Sequence, residues 1–282
     1  MRSSTEPRST HAQSPVESTP SHWSRFHRHW NLLKPPLRPD ESAVSAFARE
    51  TANRSDRVML LGVTPELGGL GKELVAVDRS AEMIANVWRR GNSAHRSAVR
   101  ADWLALPLAK GRFTAAVGDG SLNAVLFPRG HRSLYEELAA VLVPGGVFVC
   151  RLFATPADQE SFVAVKQRVL SGHVRSFHAF KWHVAMARAM ATGDANVAVS
   201  AIRDDVNRMF PDRVALATAT GWAPEDLDTI DVYRNSREVY SFPTLDQFRA
   251  VIPASFRHVR IVAAGSYELA GRCPLLVMER AR

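Results

Sequence analysis

The sequence predicts an α/β fold: a doubly wound, mostly parallel sheet with a terminal antiparallel hairpin and a helical insertion between its fifth and sixth strands. Three observations carry this reading. First, Val58-Met59-Leu60-Leu61 ends at Gly62 and, after a short helix, Leu74-Val75-Ala76-Val77 ends at Asp78, which outlines a βαβ unit. Second, strand-like runs at 97–101, 113–118 and 146–151 follow in alternation with helical spacing at 80–90 and 131–142. Third, 258–263 and 274–279 read as two strands joined through Gly265 and Gly271, an antiparallel pair closing the sheet.

Taken in chain order, residues 1–22 are rich in Ser, Thr, Pro and Arg without an apolar period, and are expected to form a disordered tail. Residues 23–56 form an arm and a helix. The arm holds Trp23, Phe26, Trp30, Leu32 and Leu33, then Pro35-Pro36-Leu37-Arg38-Pro39, whose prolines favour an extended path across a domain surface. Ser42 is the expected cap of a helix carrying Val44, Phe47 and Ala48, and Arg54-Ser55-Asp56 turns into the first strand at 58–62. A helix is expected at 65–70. Residues 57–155 and 245–282 make up the α/β domain. The insertion, 156–244, shows helical segments near 157–170, 173–191, 197–209 and 212–219, and a short helix opens at Thr244.

A chain of 282 residues suffices for one large domain with additions. Its two cysteines, Cys150 and Cys273, are too few for a disulfide framework or a four-sulfur metal site, and no apolar run reaches the length of a membrane helix or a signal core. A cytoplasmic protein without a membrane partner is expected. The formal charge of +8 is mostly arginine spread along the chain, which favours a solvated basic surface over a nucleic-acid interface. His22, His27 and His29 have no carboxylate or cysteine at ligand spacing, so no metal is expected.

Parallel strands deliver their following loops to one edge of the sheet, where ligands bind at the point of strand reversal. Gly62, Asp78, Asp102 and Asp119 all fall at or just past such ends. Gly62 lets the backbone approach a ligand, with Thr64 as helix cap and Pro65 at the first helical position. The free N–H groups of such a start suit a carboxylate or phosphate. Asp78 can accept hydrogen bonds from both hydroxyls of a ribose. Asp102 can accept from an adenine amino group, with Trp103, Met83 and Leu106 forming an apolar slot, or can simply cap a helix. Asp119, between Gly118 and Gly120, is a candidate general base, although a cofactor contact or turn cap is the simpler role.

The order and spacing over 57–153, together with the terminal hairpin, resemble the class I S-adenosylmethionine-dependent methyltransferases, a Rossmann-like family. Val75-Ala76-Val77-Asp78-Arg79-Ser80-Ala81-Glu82-Met83 is similar to the family's ribose-binding motif, and Leu138-Ala139-Ala140-Val141-Leu142-Val143-Pro144-Gly145-Gly146 to its helix and turn before the fifth strand. The resemblance implies S-adenosyl-L-methionine as cofactor, held by Gly62, Val63, Thr64, Pro65 and Glu66, by Asp78, Arg79 and Met83 around the ribose, and by Asp102 and Trp103 at the adenine. Asp119 and Gly120 would then lie near the methionine end. The chain departs from the family in its first motif: Gly62-Val63-Thr64-Pro65-Glu66 replaces Gly-x-Gly-x-Gly, and Leu60 stands where an acidic residue is usual.

The activity so implied is methyl transfer by in-line displacement to an acceptor, expected to be a small molecule. The insertion carries His178, Trp182, His183, Tyr233, Arg234 and Tyr240 and is the candidate lid over that acceptor, with His183 a second candidate base. The plainer alternative is that Phe177, Phe180, Val184 and Met186 pack a helical subdomain and leave the histidines solvated. In the arm, Trp30 and Arg38 are expected to fold over the cofactor site, Arg38 meeting a carboxylate. Three other readings stand beside this one. An NAD(P)-dependent oxidoreductase shares the βαβ unit and the ribose carboxylate, but the Pro-Gly-Gly turn and the hairpin speak against it. A non-catalytic binding module would have kept the fold without the cofactor. An RNA methyltransferase is suggested by charge alone. The oligomeric state is left open.

Overall fold

The computed structural model describes residues 21–89, 95–158 and 160–282. Most of the tail expected over 1–22 therefore lies outside the described residues. Its last residue is anchored: His22 is buried, with its Nε2 2.7 Å from Tyr240 Oη. The arm continues as α1 (Trp23–Phe26) and a 3₁₀ turn over His27–Leu32. The prolines then form a turn and not the expected extended run, closed by Leu37 N donating to Lys34 O at 3.0 Å. The helix α2 (Glu41–Thr51) is capped by Asp40 and not by Ser42. Asp40 Oδ1 accepts from Ala43 N at 2.9 Å and from Ser42 Oγ at 2.7 Å. An ionised carboxylate also complements the positive end of the helix, which a hydroxyl does not.

The α/β alternation follows as β1 (Arg57–Leu61), β2 (Glu73–Asp78), α3 (Ala81–Asn86), β3 (Arg96–Arg100), β4 (Phe113–Asp119), α4 (Arg129–Val141) and β5 (Leu142–Arg151). Between β1 and β2 the helix expected at 65–70 is only a 3₁₀ turn, Pro65–Leu67, because Gly68, Gly69 and Gly71 follow at once and glycine disfavours helix. The insertion contributes α5 (Phe162–Leu170), α6 (Phe177–Thr192), β6 (Asn196–Ala198), α7 (Val199–Met209), α8 (Arg213–Thr220), α9 (Pro224–Asp228) and β7 (Val239–Ser241). The first two start later than expected, where Ser161 and Ser176 supply capping oxygens. The antiparallel pair β6 and β7 was not expected, since three-residue strands are too short to show a period of two. The chain closes with α10 (Leu245–Ala250), β8 (Phe256–Val262) and β9 (Leu275–Arg280), α10 opening on a capping box between Thr244 and Gln247.

The main sheet has the order β3-β2-β1-β4-β5-β9-β8, parallel except where β9 pairs antiparallel with β5 and β8. Strand order thus runs outward from β1 to β2 and β3 on one side and from β4 to β5 on the other, which makes β1/β4 the switch point. Register levels the strand ends: Leu61 lies opposite Val77 on one side and Gly118 on the other. Gly62, Asp78 and Asp119 therefore emerge at one edge.

Both faces of the sheet are covered, as parallel strands require. Val58, Leu60, Ala76, Val117 and Val149 pack toward the arm, α2 and the insertion, in one continuous core with Phe177, Phe180 and Met186. The alternate residues Met59, Leu61, Val77, Ala116, Phe148 and Cys150 pack against α4 and α10 through Leu134, Tyr135, Leu138 and Phe248. Among the described residues, no helix is long and apolar enough to cross a membrane.

Candidate active site

A cavity of about 650 Å³ opens at the carboxyl edge of β1, β2, β3 and β4, within the range typical of small-molecule sites. Its sheet-side wall is built by Leu61 to Thr64, by Asp78, Arg79 and Met83, by Ala101 to Leu104, and by Asp119 to Ser121. Gly62 takes φ +97°, a conformation open to glycine, and its N–H donates to Val77 O at 2.8 Å. The backbone there turns across the end of β2, and Trp103 fixes the same point by donating Nε1 to Val77 O at 2.6 Å. Gly120 has φ +66°, and a Cβ there would come within 2.5 Å of the Phe153 ring, so no side chain fits.

Asp78 is tied down by backbone N–H groups, with Ser80 N donating to Oδ1 at 2.8 Å and Arg79 also contributing. Burial pushes its carboxyl up to about 6, against the opposing pull of the Ser80 N–H and the Arg79 guanidinium. A carboxylate has about four acceptor sites. Asp78 thus retains capacity for donors from a ligand in the cavity. Asp102 also lines the wall, with Oδ1 accepting from Leu104 N at 2.9 Å in a local cap. Arg79 lies at the rim, paired with Glu238 at 2.6 Å.

The opposite wall comes from the arm: Trp23, Phe26, Trp30 and Leu37. Polar bonds hold the arm in place along its length. Arg25 donates to the carbonyls of Val232 and Arg234, Lys34 pairs with Asp226 at 2.7 Å, and Arg151 donates to Pro36 O at 2.9 Å. Arg38, expected at the site, is not in the cavity wall: it pairs with Glu66 of the protein itself, while its guanidinium sits 5.7 Å from the centre of the Trp30 ring. A second, smaller chamber of about 70 Å³ is lined by arm residues together with Phe153, Trp182, Tyr233 and Tyr240.

Residues 62–150 match the family described as methyltransferase domain. Over that stretch the chain is similar to a methyltransferase domain. No curated protein matches it. Among solved structures, the N-methyltransferase NodS of Bradyrhizobium japonicum, in complex with S-adenosylhomocysteine, is similar at 12% identity over 93% of this chain and 100% of that one, with a TM-score of 0.54. The PH0226 protein of Pyrococcus horikoshii is similar at 14% identity over 85% and 88%, with a TM-score of 0.50. A Rhodobacter sphaeroides protein described as a Zn-dependent alcohol dehydrogenase gives 13% identity over 94% and 100%, with a TM-score of 0.58. At such identities the likeness is one of fold.

Several expected site residues lie elsewhere. Pro65 and Glu66 are outside the cavity wall, and Thr64 makes no side-chain cap. A three-residue turn adds up few peptide dipoles, so it cannot replace the anion-binding start of a full helix. Leu106 is outside the cavity wall and packs in the same apolar cluster as Trp103. Asp119 is no free base: both its oxygens accept from Arg151, at 2.5 and 3.0 Å, and little of either side chain is accessible. His183 lines neither chamber. Its Nδ1 is 2.9 Å from Glu160 Oε2, in a buried cluster that also holds Arg272 and Arg168. His178 is buried, and that burial drives its ring down to about 3. Its neutral ring must therefore carry the proton on Nε2 to donate to Leu32 O at 2.9 Å, another tie on the arm.

Other wall residues are not among the expected site residues: Leu126 just before α4, Arg129, Gly130 and Ser133 in its first turns, and Arg237, Glu238 and Val239 leading into β7. A signal existed for one pair. Gly130 and Ser133 are small residues three apart, which places them on one helix face with room beside it.

Proposed function

We propose that this protein transfers the methyl group of S-adenosyl-L-methionine to a small-molecule acceptor inside the cavity between the sheet edge and the arm. The observation that carries the reading is the continuity of one wall from Gly62 through Asp78 and Asp102 to Asp119 and Gly120, on a methyltransferase-family domain. The residues present fit the cofactor. Asp78 faces the cavity with acceptor capacity for ribose hydroxyls, Met83 and Trp103 give an apolar slot for a purine, and Gly120 leaves space that a side chain would fill.

When bound, S-adenosylmethionine supplies a methyl group already activated by its sulfonium. The protein's part is to bind, orient and exclude water. Trp23, Phe26 and Trp30 shield the site, and the ties on the arm keep them there. Because Arg151 occupies both oxygens of Asp119, that residue shapes the wall and does not take a proton. In-line alignment then provides the acceleration, without a general base from Asp119 or His183.

Calorimetry tests the reading directly. S-adenosylhomocysteine should bind the full chain, Asp78→Ala should weaken it at least tenfold, and NADH should give no heat. Absence of S-adenosylhomocysteine binding in the parent protein would leave a non-catalytic module with this fold.

A further inference from the structure

Three of the described residues that wall the large cavity are arginines, and they differ in what they already serve. Arg79 is paired with Glu238. Arg129, in the first turn of α4, and Arg237, just before β7, make no hydrogen bond or ion pair with any described residue. Both are exposed and both line the cavity, which places them at its mouth. Ser133 lies four residues after Arg129 on the same face of α4, also lines the cavity, and its hydroxyl has no partner among the described residues.

The segments that carry the two arginines are joined through β6. Asn196 donates Nδ2 to Phe127 O and accepts from Phe127 N at Oδ1, both at 2.9 Å, which fastens the approach to α4 onto that strand. β6 in turn pairs with β7, Ala198 opposite Val239. Positive charge at this end of the cavity is not cancelled by the carboxylates beside it. Glu238 is held by Arg79 and Ser21, and Asp119 by Arg151. Asp78 and Asp102 stand past β2 and β3, on the other side of β1 from the β4 end that leads into α4.

The cofactor fit uses Asp78, Met83, Trp103 and Gly120 and leaves Arg129, Ser133 and Arg237 without a role. An ammonium group would be repelled there, and a neutral group would gain little from the charge. A carboxylate or phosphate matches a guanidinium, whose N–H groups can give it two parallel bonds. Trp23, Phe26 and Trp30 of the arm offer the rest of such a molecule an apolar wall.

We propose that the methyl acceptor is an organic acid, with an apolar body seated against the arm and an anionic group, carboxylate or phosphate, bound at the cavity mouth by Arg129 and Arg237. The two arginines then determine specificity. That this molecule is the methyl acceptor rests on the methyltransferase reading; the preference of this end of the cavity for an anion does not.

The test is a ligand-observed NMR titration of the full chain with phenylacetate, benzyl phosphate, phenylacetamide and phenethylamine, each with and without saturating S-adenosylhomocysteine. One of the two anions should bind at least tenfold more tightly than the amide and the amine, and the better of them identifies the anionic group. Arg129→Gln and Arg237→Gln should each weaken that anion at least fivefold and leave the amide within twofold, while Arg129→Lys should keep part of the affinity. Both residues are exposed and unpaired, so the melting temperatures should hold. Affinity for S-adenosylhomocysteine should stay within twofold in both glutamine variants, which separates acceptor binding from a grip on the cofactor's own carboxylate. Equal affinity for anions and amide, preference for the amine, no binding of any probe, anion affinity untouched by both variants, or a matching loss of S-adenosylhomocysteine affinity would overturn the proposal. Anion preference carried by the two arginines in a protein that does not bind S-adenosylhomocysteine would instead sink the methyltransferase reading and leave the anion site standing.

Discussion

Arg151 grips Asp119 at two points inside the protein, Nε to Oδ1 at 2.5 Å and Nη2 to Oδ2 at 3.0 Å, with the two side chains 0% and 5% exposed. The same guanidinium donates to Tyr267 Oη and to the carbonyl of Pro36. One cation thus joins the ends of β4 and β5 to the arm that covers the cavity. Burial pushes the Asp119 carboxyl upward while the adjacent guanidinium holds it down.

Removing one partner of such a pair leaves the other buried and unpaired. Asp119→Asn should therefore cost about 3 to 5 kcal/mol in a urea unfolding experiment. It should also loosen the arm, seen as faster proteolysis within residues 21–40. Stability equal to the parent would mean that the pair is not what organises this edge.

Asp78 should trade stability for binding. Its carboxyl sits at about 6 in the folded protein, above the ordinary 3.8, so the folded state holds the proton more tightly than the unfolded one. By linkage, ionising it penalises folding fully above about pH 6, and the penalty vanishes below about pH 4, where both states are protonated. Asp78→Asn should raise the melting temperature at pH 7, lose that advantage at pH 4, and weaken S-adenosylhomocysteine at least tenfold. In the parent, affinity for that ligand should fall as pH drops through about 6.

His183→Ala should affect folding and not the site. It removes one partner of Glu160, which keeps Arg272 and Arg168, so a loss of about 1 to 3 kcal/mol is expected. Affinity for S-adenosylhomocysteine should stay within twofold of the parent. A large loss of affinity with intact stability would bring the histidine back into the site.

Lys181 gives a separate pH test. It is fully buried, with Nζ 3.0 Å from Thr229 Oγ1 and over the rings of Phe177 and Tyr233, and burial lowers it from 10.5 to about 7, against the pull of Asp226. Its charged form is thus disfavoured in the folded state, a penalty fully present below pH 7 and fading as pH rises toward 10.5. Lys181→Met should be more stable than the parent at pH 6, and the gap should narrow progressively as pH rises through 9, closing only near 10.5. A gap that is constant with pH would show that the lysine is not neutralised by folding.

The strands of the main sheet and the residues at their ends are legible in local pattern, unlike the short pair β6 and β7. Runs such as Val58 to Leu61 and Leu74 to Val77 declare themselves by composition, and the residue that follows a parallel strand is delivered to one edge whatever surrounds it. That is why Gly62, Asp78, Asp102, Trp103 and Asp119, each at or just past a strand end, meet at the cavity. Tertiary structure alone decided which groups remained free there. Asp119 is taken by Arg151, 32 residues later, and His183 and His178 are spent on Glu160 and on the arm. It also chose Asp40 over Ser42 as a helix cap and brought Trp23, Phe26 and Trp30 opposite the sheet. Local pattern records which face of an element is apolar; the partner of a buried polar group depends on distant chain brought near by packing, and no nearby residue encodes it.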